Sequence, residues 1–214
     1  MPTANYVEFY GMANGLPLDH PESGFDPNYP WRNRDPRFYK DIVFDGVRFV
    51  QSTEAAAAAH QFANLHTGGN HRVISGGSRT GFMNRKFVPL TANRWDGGYQ
   101  FGANLHIQIP YMRLADIYLM YAEAAAVAFG SPQGQVPGFN LTAVDAINVI
   151  RDRARAGRVH ASFTGSLDAF LPELRRERAV ELAFEAHRFN DLRRWKLLIH
   201  YPYTEKTGIE FDRA

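Results

Sequence analysis

The sequence predicts a mainly α fold, in which tetratricopeptide-like antiparallel helix pairs accompany a loop-rich region containing short β-hairpins. From residue 110 to about residue 200, apolar residues recur at helical spacing, and alanines among them let neighbouring helices approach closely. Before residue 110, glycine, proline, asparagine and aromatic residues surround short β-prone runs. We therefore expect a loop-rich, small-sheet region over 1–109, a helical region over 110–200 and a C-terminal tail over 201–214.

The first two predicted helices have clear boundaries. One begins at Pro110 and ends near Gly130, and the next has Thr142 as its N-cap and Gly157 just beyond its C-terminus. The expected buried stripe of the first helix consists of Leu114, Ile117, Tyr118, Tyr121, Ala122 and Ala125.

The third and fourth predicted helices follow closely. The third starts after Ser166 and runs to Phe189, with Pro172 producing a kink or marking the true start. The fourth is short, with Asn190 or Asp191 as its cap.

The loop-rich region contains two strand signals. Two β-prone runs flank Asp45-Gly46 in the stretch IVFDGVRFV, a pattern typical of a β-hairpin with a two-residue turn. The stretch GFMNRKFVPL indicates a further strand.

Composition and charge exclude several classes of protein. The chain has 214 residues, is 45% hydrophobic and has a net charge of +2, which is ordinary for a globular protein. It has no cysteine, so thiolate metal sites and cysteine nucleophiles are excluded. No apolar run reaches the roughly 18 residues of a membrane span, and the N-terminal residues do not resemble a signal peptide.

The stretch ELRRERAVELAFEAHRFNDLRRWK allows three interpretations: a nucleic-acid arm, an active-site helix with paired carboxylates, or a packed helix. Glutamates four residues apart alternate with arginines, whereas a phosphate-binding helix needs a face of one sign. The arginines also keep the carboxylates ionised, which disfavours acid–base catalysis. We therefore predict a packing helix whose arginines stack on Phe189 and Trp195. Its expected partners on the other helices are Asp116, Glu123 and Asp152.

Several motifs, in order, carry a family resemblance. YMRLADIYLMYAEA, AINVIRDRARAG and LRRERAVELAFEAHRFNDLRRWK resemble the C-terminal half of the SusD/RagB family. MANGLP, SGFDPNYPWRNRDPRFYKDIVFDG and RTGFMNRKFV resemble the region that precedes those helices in the family. The resemblance extends from about Tyr10 to Trp195.

The resemblance implies a nutrient-binding protein with a glycan or other nutrient as its ligand. Family members are surface-exposed outer-membrane lipoproteins that cover a SusC-like TonB-dependent transporter. They are typically more than twice as long as this chain, and their N-terminal part carries the signal peptide, the lipidated cysteine and most of the helical scaffold. The resemblance therefore implies membrane attachment only through a lipid anchor that this chain lacks.

Two loops combine flat aromatic rings with planar polar side chains, as sugar recognition requires. They are NRWDGGYQ and NYPWRNRD, both marked by glycine or proline. In the first loop we expect two stacking rings with three polar partners, and in the second two further aromatic contacts. These residues are Trp95 and Tyr99 with Asn93, Arg94 and Asp96, followed by Trp31 and Tyr29. The alternative is that these rings cover the edges of the core.

No catalytic residue, cofactor or metal site is predicted. His60, His66 and His71 lack the spacing of a helical metal site, and SGGSRTG lacks the lysine of a phosphate-binding loop. The main alternative function is a helical scaffold that docks a partner protein without binding a ligand. A glycosidase is a weaker alternative, because no pair of carboxylates facing an aromatic cleft is evident.

Overall fold

The computed structural model describes residues 1–96, 105 and 107–213. Its helices and strands, in chain order, are α1 (Ala4–Val7), α2 (Phe38–Asp41), β1 (Ile42–Val43), β2 (Met83–Asn84), α3 (Leu114–Phe129), α4 (Ala143–Ala154), α5 (Leu167–Glu181) and α6 (His187–Arg194). Two short 3₁₀ helices cover Ala55–His60 and Ala161–Phe163. The mainly α fold class is therefore confirmed. None of the helices described here has both the length and the apolar character needed to span a bilayer.

The chain forms two compact units, each assembled from segments that are separated in sequence. The loop-rich unit comprises Met1–Val7, Tyr39–Ile109 and Leu198–Ala214, and the helical unit comprises Glu8–Phe38 and Pro110–Leu197. The division into three consecutive regions, 1–109, 110–200 and 201–214, stays a prediction.

The loop-rich unit is held by a two-stranded sheet and by its terminal segments. Strand β1 pairs antiparallel with β2, and Val43 joins Ala63 and Leu65 in a small core. The two terminal segments also meet, because the Ala4 amide donates to the Thr207 carbonyl at 2.9 Å. Backbone hydrogen bonds and this small core together hold the described part of the unit.

The hairpin predicted over Ile42–Val50 is wrong. A turn does occur at Gly46, with φ of 80°, but β1 pairs with β2 rather than with the residues after the turn. The Asp45 carboxylate accepts a hydrogen bond from the Leu65 amide at 2.7 Å, and Gly46 donates to Ala63 at 2.8 Å. These bonds turn the chain towards a third segment instead of back on itself.

Helix α3 ends at Gly130 as predicted, but it starts at Leu114 rather than at Pro110, and the predicted buried stripe is rotated. Leu114 and Ile117 are 66% and 43% exposed. The buried positions of the helix are Ala115, Asp116, Leu119, Ala122, Ala125 and Ala126. Because α3 is apolar around most of its circumference, its periodicity does not distinguish the buried face from the outer one.

Helix α4 begins as predicted and ends differently. Thr142 forms a capping box, accepting from the Asp145 amide at 3.1 Å while the Asp145 carboxylate accepts from the Thr142 amide at 3.0 Å. At the other end Arg155, not Gly157, adopts the left-handed conformation, with φ of 59°. Gly157 is required for another reason: a Cβ there would lie 1.9 Å from the Asn14 carbonyl oxygen.

Helix α5 starts at the predicted cap and ends early. Ser166 accepts a hydrogen bond from the Ala169 amide at 3.2 Å, and the helix continues through Pro172. It ends at Glu181 rather than at Phe189, and a turn follows in which Phe184 has φ of 62°. The left-handed backbone conformation at Phe184 interrupts the right-handed helix before α6 begins.

Neither Asn190 nor Asp191 caps α6. The residue before the helix is Ala186, with φ of 66°. Asp191 instead lies inside the helix, where its carboxylate accepts hydrogen bonds from Arg178 at 3.0 Å and from Arg194 at 2.9 Å. Its acidic side chain serves packing between helices and not capping.

Candidate functional site

A row of buried glutamates on and just beyond α5 organises the helical unit. Glu177 receives Arg151 from α4 at 2.8 Å, and it also pairs with Arg37 from the segment before α2. Glu181 accepts from Arg37 at 3.0 Å. Further ion pairs in the row join Arg151 to Glu173, Arg176 to Glu173, Arg113 to Glu181 and Glu185, and Arg153 to Glu181.

Two carboxylates of this row, those of Glu177 and Glu173, are held ionised. Burial would raise the pKa of Glu177, but the guanidinium groups of Arg37 and Arg151 outweigh it and hold the pKa well below the ordinary range of a glutamate. The pKa of Glu173 is also lowered, since Arg176 and Arg151 outweigh its burial. A general acid needs a raised pKa, so the geometry favours packing over catalysis.

The predicted partners on other helices are mostly confirmed. Asp116 accepts from Arg178 at 2.8 Å, and Glu123 pairs with Arg194. Asp152 is a wrong assignment, because it pairs with Arg158 in an exposed ion pair. The predicted stacking is confirmed by the guanidinium groups of Arg175 and Arg194, at 5.3 and 4.4 Å from the Trp195 ring centroid, and of Arg193, at 5.7 Å from that of Phe189.

The loop after residue 90 is shaped by Asn93. The side-chain oxygen Oδ1 of Asn93 accepts hydrogen bonds from the backbone amides of Trp95 and Asp96 at 2.8 and 2.9 Å. The side-chain nitrogen Nδ2 of Asn93 donates to the Asp96 carboxylate at 2.7 Å and to the backbone carbonyl of Gln51 at 3.2 Å. These contacts occupy its donors and acceptor, so Asn93 positions the loop around Trp95.

Trp95 is half-buried and lies against a histidine. Its ring stacks on that of His60, with centroids 5.1 Å apart and an interplanar angle of 29°. The guanidinium of the exposed Arg94 lies 4.8 Å from the Trp95 ring centroid. Asp96 accepts from Ser52 at 2.9 Å through its other oxygen. The structure thus brings together Asn93, Arg94, Trp95 and Asp96 with ordered aromatic and polar groups.

His60 is linked through His71 to the backbone of Asn64 by two hydrogen bonds. His71 Nδ1 accepts the Asn64 amide at 3.0 Å, so its proton is at Nε2, which lies 3.1 Å from His60 Nδ1. Burial, followed by the neighbouring His60, lowers the pKa of His71. The Asn64 amide therefore fixes the tautomer of His71, and the lowered pKa of His71 favours its neutral ring.

The second predicted loop belongs to the helical unit. Tyr29 is 51% exposed, and the Arg32 guanidinium lies 3.8 Å from its ring centroid. Trp31 is less accessible and stacks on Phe38, with centroids 6.2 Å apart and an angle of 11°. Tyr29 therefore presents a ring to solvent, while Trp31 covers Phe38. Tyr99 lies outside the described residues.

Sequence reasoning missed the residues that support Trp95. His60 and His71 were interpreted as solvated or polar-packed histidines, and Ser52 and Gln51 were not considered. They are distant from Trp95 in the chain, and no local pattern connects them to it. Only the fold brings them together.

The fold and the two loops define a mainly α protein of tetratricopeptide-like type with a small loop-rich unit. The chain belongs to the SusD family, whose model matches residues 1–213. A SusD-like protein of Bacteroides fragilis NCTC 9343 is 28% identical with a TM-score of 0.69, covering 92% of this chain and 36% of that one. The match confirms both the resemblance and the predicted fold class.

The name of a second relative from the same strain states the class of ligand that it binds. It is a SusD-like carbohydrate-binding protein, 25% identical with a TM-score of 0.63, and the match covers 92% of this chain and 35% of that one. This chain therefore spans about a third of the length of these relatives. No curated protein sequence matches it significantly.

Proposed function

We propose that the protein binds a glycan and acts as a SusD-like nutrient-binding protein without enzymatic activity. Family membership supports this, as does the carbohydrate-binding description of the relative from Bacteroides fragilis. The observation that carries the proposal is the Asn93–Asp96 loop. Its stacked, half-buried Trp95 is combined with the polar side chains of Arg94 and Asp96.

In this proposal the loop residues have different roles. Trp95 stacks against the C–H face of a sugar ring, while Arg94 and Asp96 bind hydroxyl groups. Asn93 positions the other three. In the helical unit Tyr29 offers an exposed ring of its own, and contacts of Trp31 or Tyr99 with a ligand stay predictions. Sugar recognition does not require a cofactor or a metal here.

The wider role follows from family membership alone. We propose that the whole protein is exposed on the outer membrane through a lipid anchor and delivers its ligand to a SusC-like TonB-dependent transporter. Nucleic acid is not a partner in this proposal, because Arg176 and Arg178 of α5 and Arg194 of α6 pair with carboxylates.

The test is affinity electrophoresis of the folded chain in gels containing a panel of neutral and acidic polysaccharides. We expect one class to retard the chain and Trp95→Ala to abolish the retardation, since stacking is lost. Tyr111→Ala is the matched control, because Tyr111 is 93% exposed and lies outside both loops. Retardation that persists in Trp95→Ala would move the site away from this loop, and no retardation by any polysaccharide would refute glycan binding.

A second candidate function is a scaffold that docks a partner protein without binding ligand. The outer face of α3 favours it, because Leu114, Ile117 and Val127 are 66%, 43% and 55% exposed. Under this alternative, glycans leave the electrophoretic mobility unchanged, and substitutions on α3 weaken partner binding.

A further inference from the structure

A shallow cavity lies beside the Asn93–Asp96 loop in sequence and within the same unit. Its volume is about 550 Å³, and residues 85–90 form most of its wall together with Lys40 and Asp41. Backbone hydrogen bonds fix this wall, since the amides of Arg85 and Lys86 donate to the Asp41 carbonyl at 2.8 and 3.3 Å. The cavity is therefore a formed feature of the fold.

Positive charge dominates the lining. Lys40, Arg85 and Lys86 contribute three cations, and Asp41 contributes the one carboxylate among the described lining residues. Lys40 is exposed. Arg85 Nη1 donates to the Tyr39 carbonyl oxygen at 3.4 Å, a long hydrogen bond that leaves most of the donors of this guanidinium for a ligand. The cavity thus attracts an anion.

The cavity also has an apolar wall with an unusual backbone. Phe87 has φ of 67°, a conformation that bulky residues rarely adopt. The strained backbone places the Phe87 ring on the cavity wall, next to Val88 and Leu90. A flat ring beside cations suits a ligand that has both a C–H face and a negative charge.

The cavity is connected to the Trp95 loop through Gln51. The Gln51 amide donates to the Leu90 carbonyl at 2.7 Å, and the Gln51 carbonyl accepts from Asn93 at 3.2 Å. The backbone of Gln51 thus holds both Leu90, at the end of the cavity wall, and Asn93, which shapes the loop. A ligand longer than one sugar can therefore extend along the segment that joins them.

We propose that this cavity binds the anionic group of an acidic sugar, a carboxylate or a sulfate, so that the ligand of the protein is an acidic polysaccharide. Arg85 and Lys40 contact the anion, and Phe87 packs against the sugar ring. This inference rests on the proposed function, because it assigns the class of glycan bound beside the Trp95 loop.

The test compares charged ligands with uncharged ligands of the same backbone. Calorimetric titrations in about 0.15 M salt use oligogalacturonate against its methyl ester, and dextran sulfate against dextran. We expect one acidic form to bind at least about tenfold more tightly than its neutral counterpart, as a charge-assisted hydrogen bond provides. The two pairs distinguish a carboxylate from a sulfate.

Two variants locate the anion. Arg85→Gln and Lys40→Gln should each weaken binding of the acidic ligand about tenfold and leave binding of neutral ligands unchanged. Arg79→Gln is the matched control, since Arg79 is an exposed arginine of the same unit outside the cavity. Lys40 is exposed, so its variant keeps the test valid if Arg85→Gln fails to fold.

The outcomes separate the two proposals. Equal binding of acidic and neutral ligands that depends on Trp95 would refute the anion site and keep glycan binding. A preference for acidic ligands that survives in both Arg85→Gln and Lys40→Gln would also refute this cavity. Binding of none of the four ligands, nor of any polysaccharide in the electrophoresis panel, would refute both.

Discussion

At the residue scale, Glu177 shows how burial and charge are balanced. It is 1% exposed and lies between the guanidinium groups of Arg37 and Arg151, which are themselves buried. Removing the charge of Glu177 takes one carboxylate partner from each of two buried guanidinium groups, which keep Glu181 and Glu173 as their remaining glutamate partners. The ion pair is therefore costly to break, although its net contribution relative to an apolar core is small.

We predict that Glu177→Gln destabilises the protein towards the lower end of about 3–5 kcal/mol, because two buried cations each lose one of their carboxylate partners. Urea unfolding measures the change. Asp152→Asn is the control, since Asp152 and Arg158 form an exposed pair, and it should leave the urea midpoint nearly unchanged. Equal effects of the two substitutions on the urea midpoint would show that the buried carboxylate stabilises the fold no more than the exposed one.

The same residue gives the stability a dependence on pH. The pKa of Glu177 is lower in the folded chain than in the unfolded chain, so its stabilising effect is complete above the ordinary glutamate pKa. The effect declines as the pH falls from that value towards the folded pKa. The urea midpoint of the wild type should thus fall on acidification below about pH 4.5, and less steeply in Glu177→Gln.

At the element scale, close backbone contact fixes the end of α4. Gly157 donates to the Ala13 carbonyl at 2.8 Å, and its Cα faces the Asn14 carbonyl with no room for a side chain. The segment before α2 is thereby attached to the end of a helix more than a hundred residues later in the sequence. Alternative side chains at this position force the two backbones apart.

We predict that Gly157→Ala destabilises the helical unit by about 1–3 kcal/mol or more, because the added methyl group overlaps the Asn14 carbonyl. Gly165→Ala is the matched control, since a Cβ at Gly165 meets nothing within 4 Å. Thermal unfolding followed by circular dichroism compares the two. A Gly157→Ala variant as stable as Gly165→Ala would contradict the close approach.

Local signals were predicted well at this scale, and long-range ones were not. Thr142 and Ser166 were identified as caps because a cap depends on neighbours within one turn. The pairing of Arg37 with Glu177 joins residues 140 apart, and no pattern in the sequence points to it. The prediction of the buried face of α3 was wrong because Leu114 and Leu119 are the same residue type on one helix, and only packing decides which of them is buried.

The candidate site has the same division between what was and was not predictable. Trp95 and its loop can be proposed as a candidate site from the sequence, because aromatic and polar residues cluster with glycine within eight positions. The cavity at Arg85 and the histidines under Trp95 were not found, since the fold assembles them from separate segments. Recognition of the family added the class of ligand but no contact residue.

At the scale of the whole molecule, an apolar surface remains on the outside of α3. Asp116 and Glu123, the acidic residues of this helix, pair with arginines, while Leu114, Ile117 and Met120 face outward. A helix that is apolar around most of its circumference is usually buried on all sides. Helix α5 differs from α3 in this respect, because most of its apolar residues are buried.

We predict that the chain self-associates with rising concentration and that Ile117→Glu reduces this, because a charge on the exposed face opposes apolar contact. Sedimentation velocity over a range of concentrations measures it. Val149→Glu is the matched control, as Val149 is a partly exposed apolar residue of α4, at 38%. A chain that stays monomeric throughout would show that this surface is tolerated in water.

The hydrogen bond between Ala4 and Thr207 has a consequence for synthesis on the ribosome. The loop-rich unit uses residues 1–7, 39–109 and 198–214, whereas the helical unit needs nothing beyond residue 197. The helical unit can therefore fold while translation is still under way. The loop-rich unit, which carries the candidate sugar loop, also needs residues 198–214, so it acquires its third segment later in synthesis than the helical unit acquires its last helix.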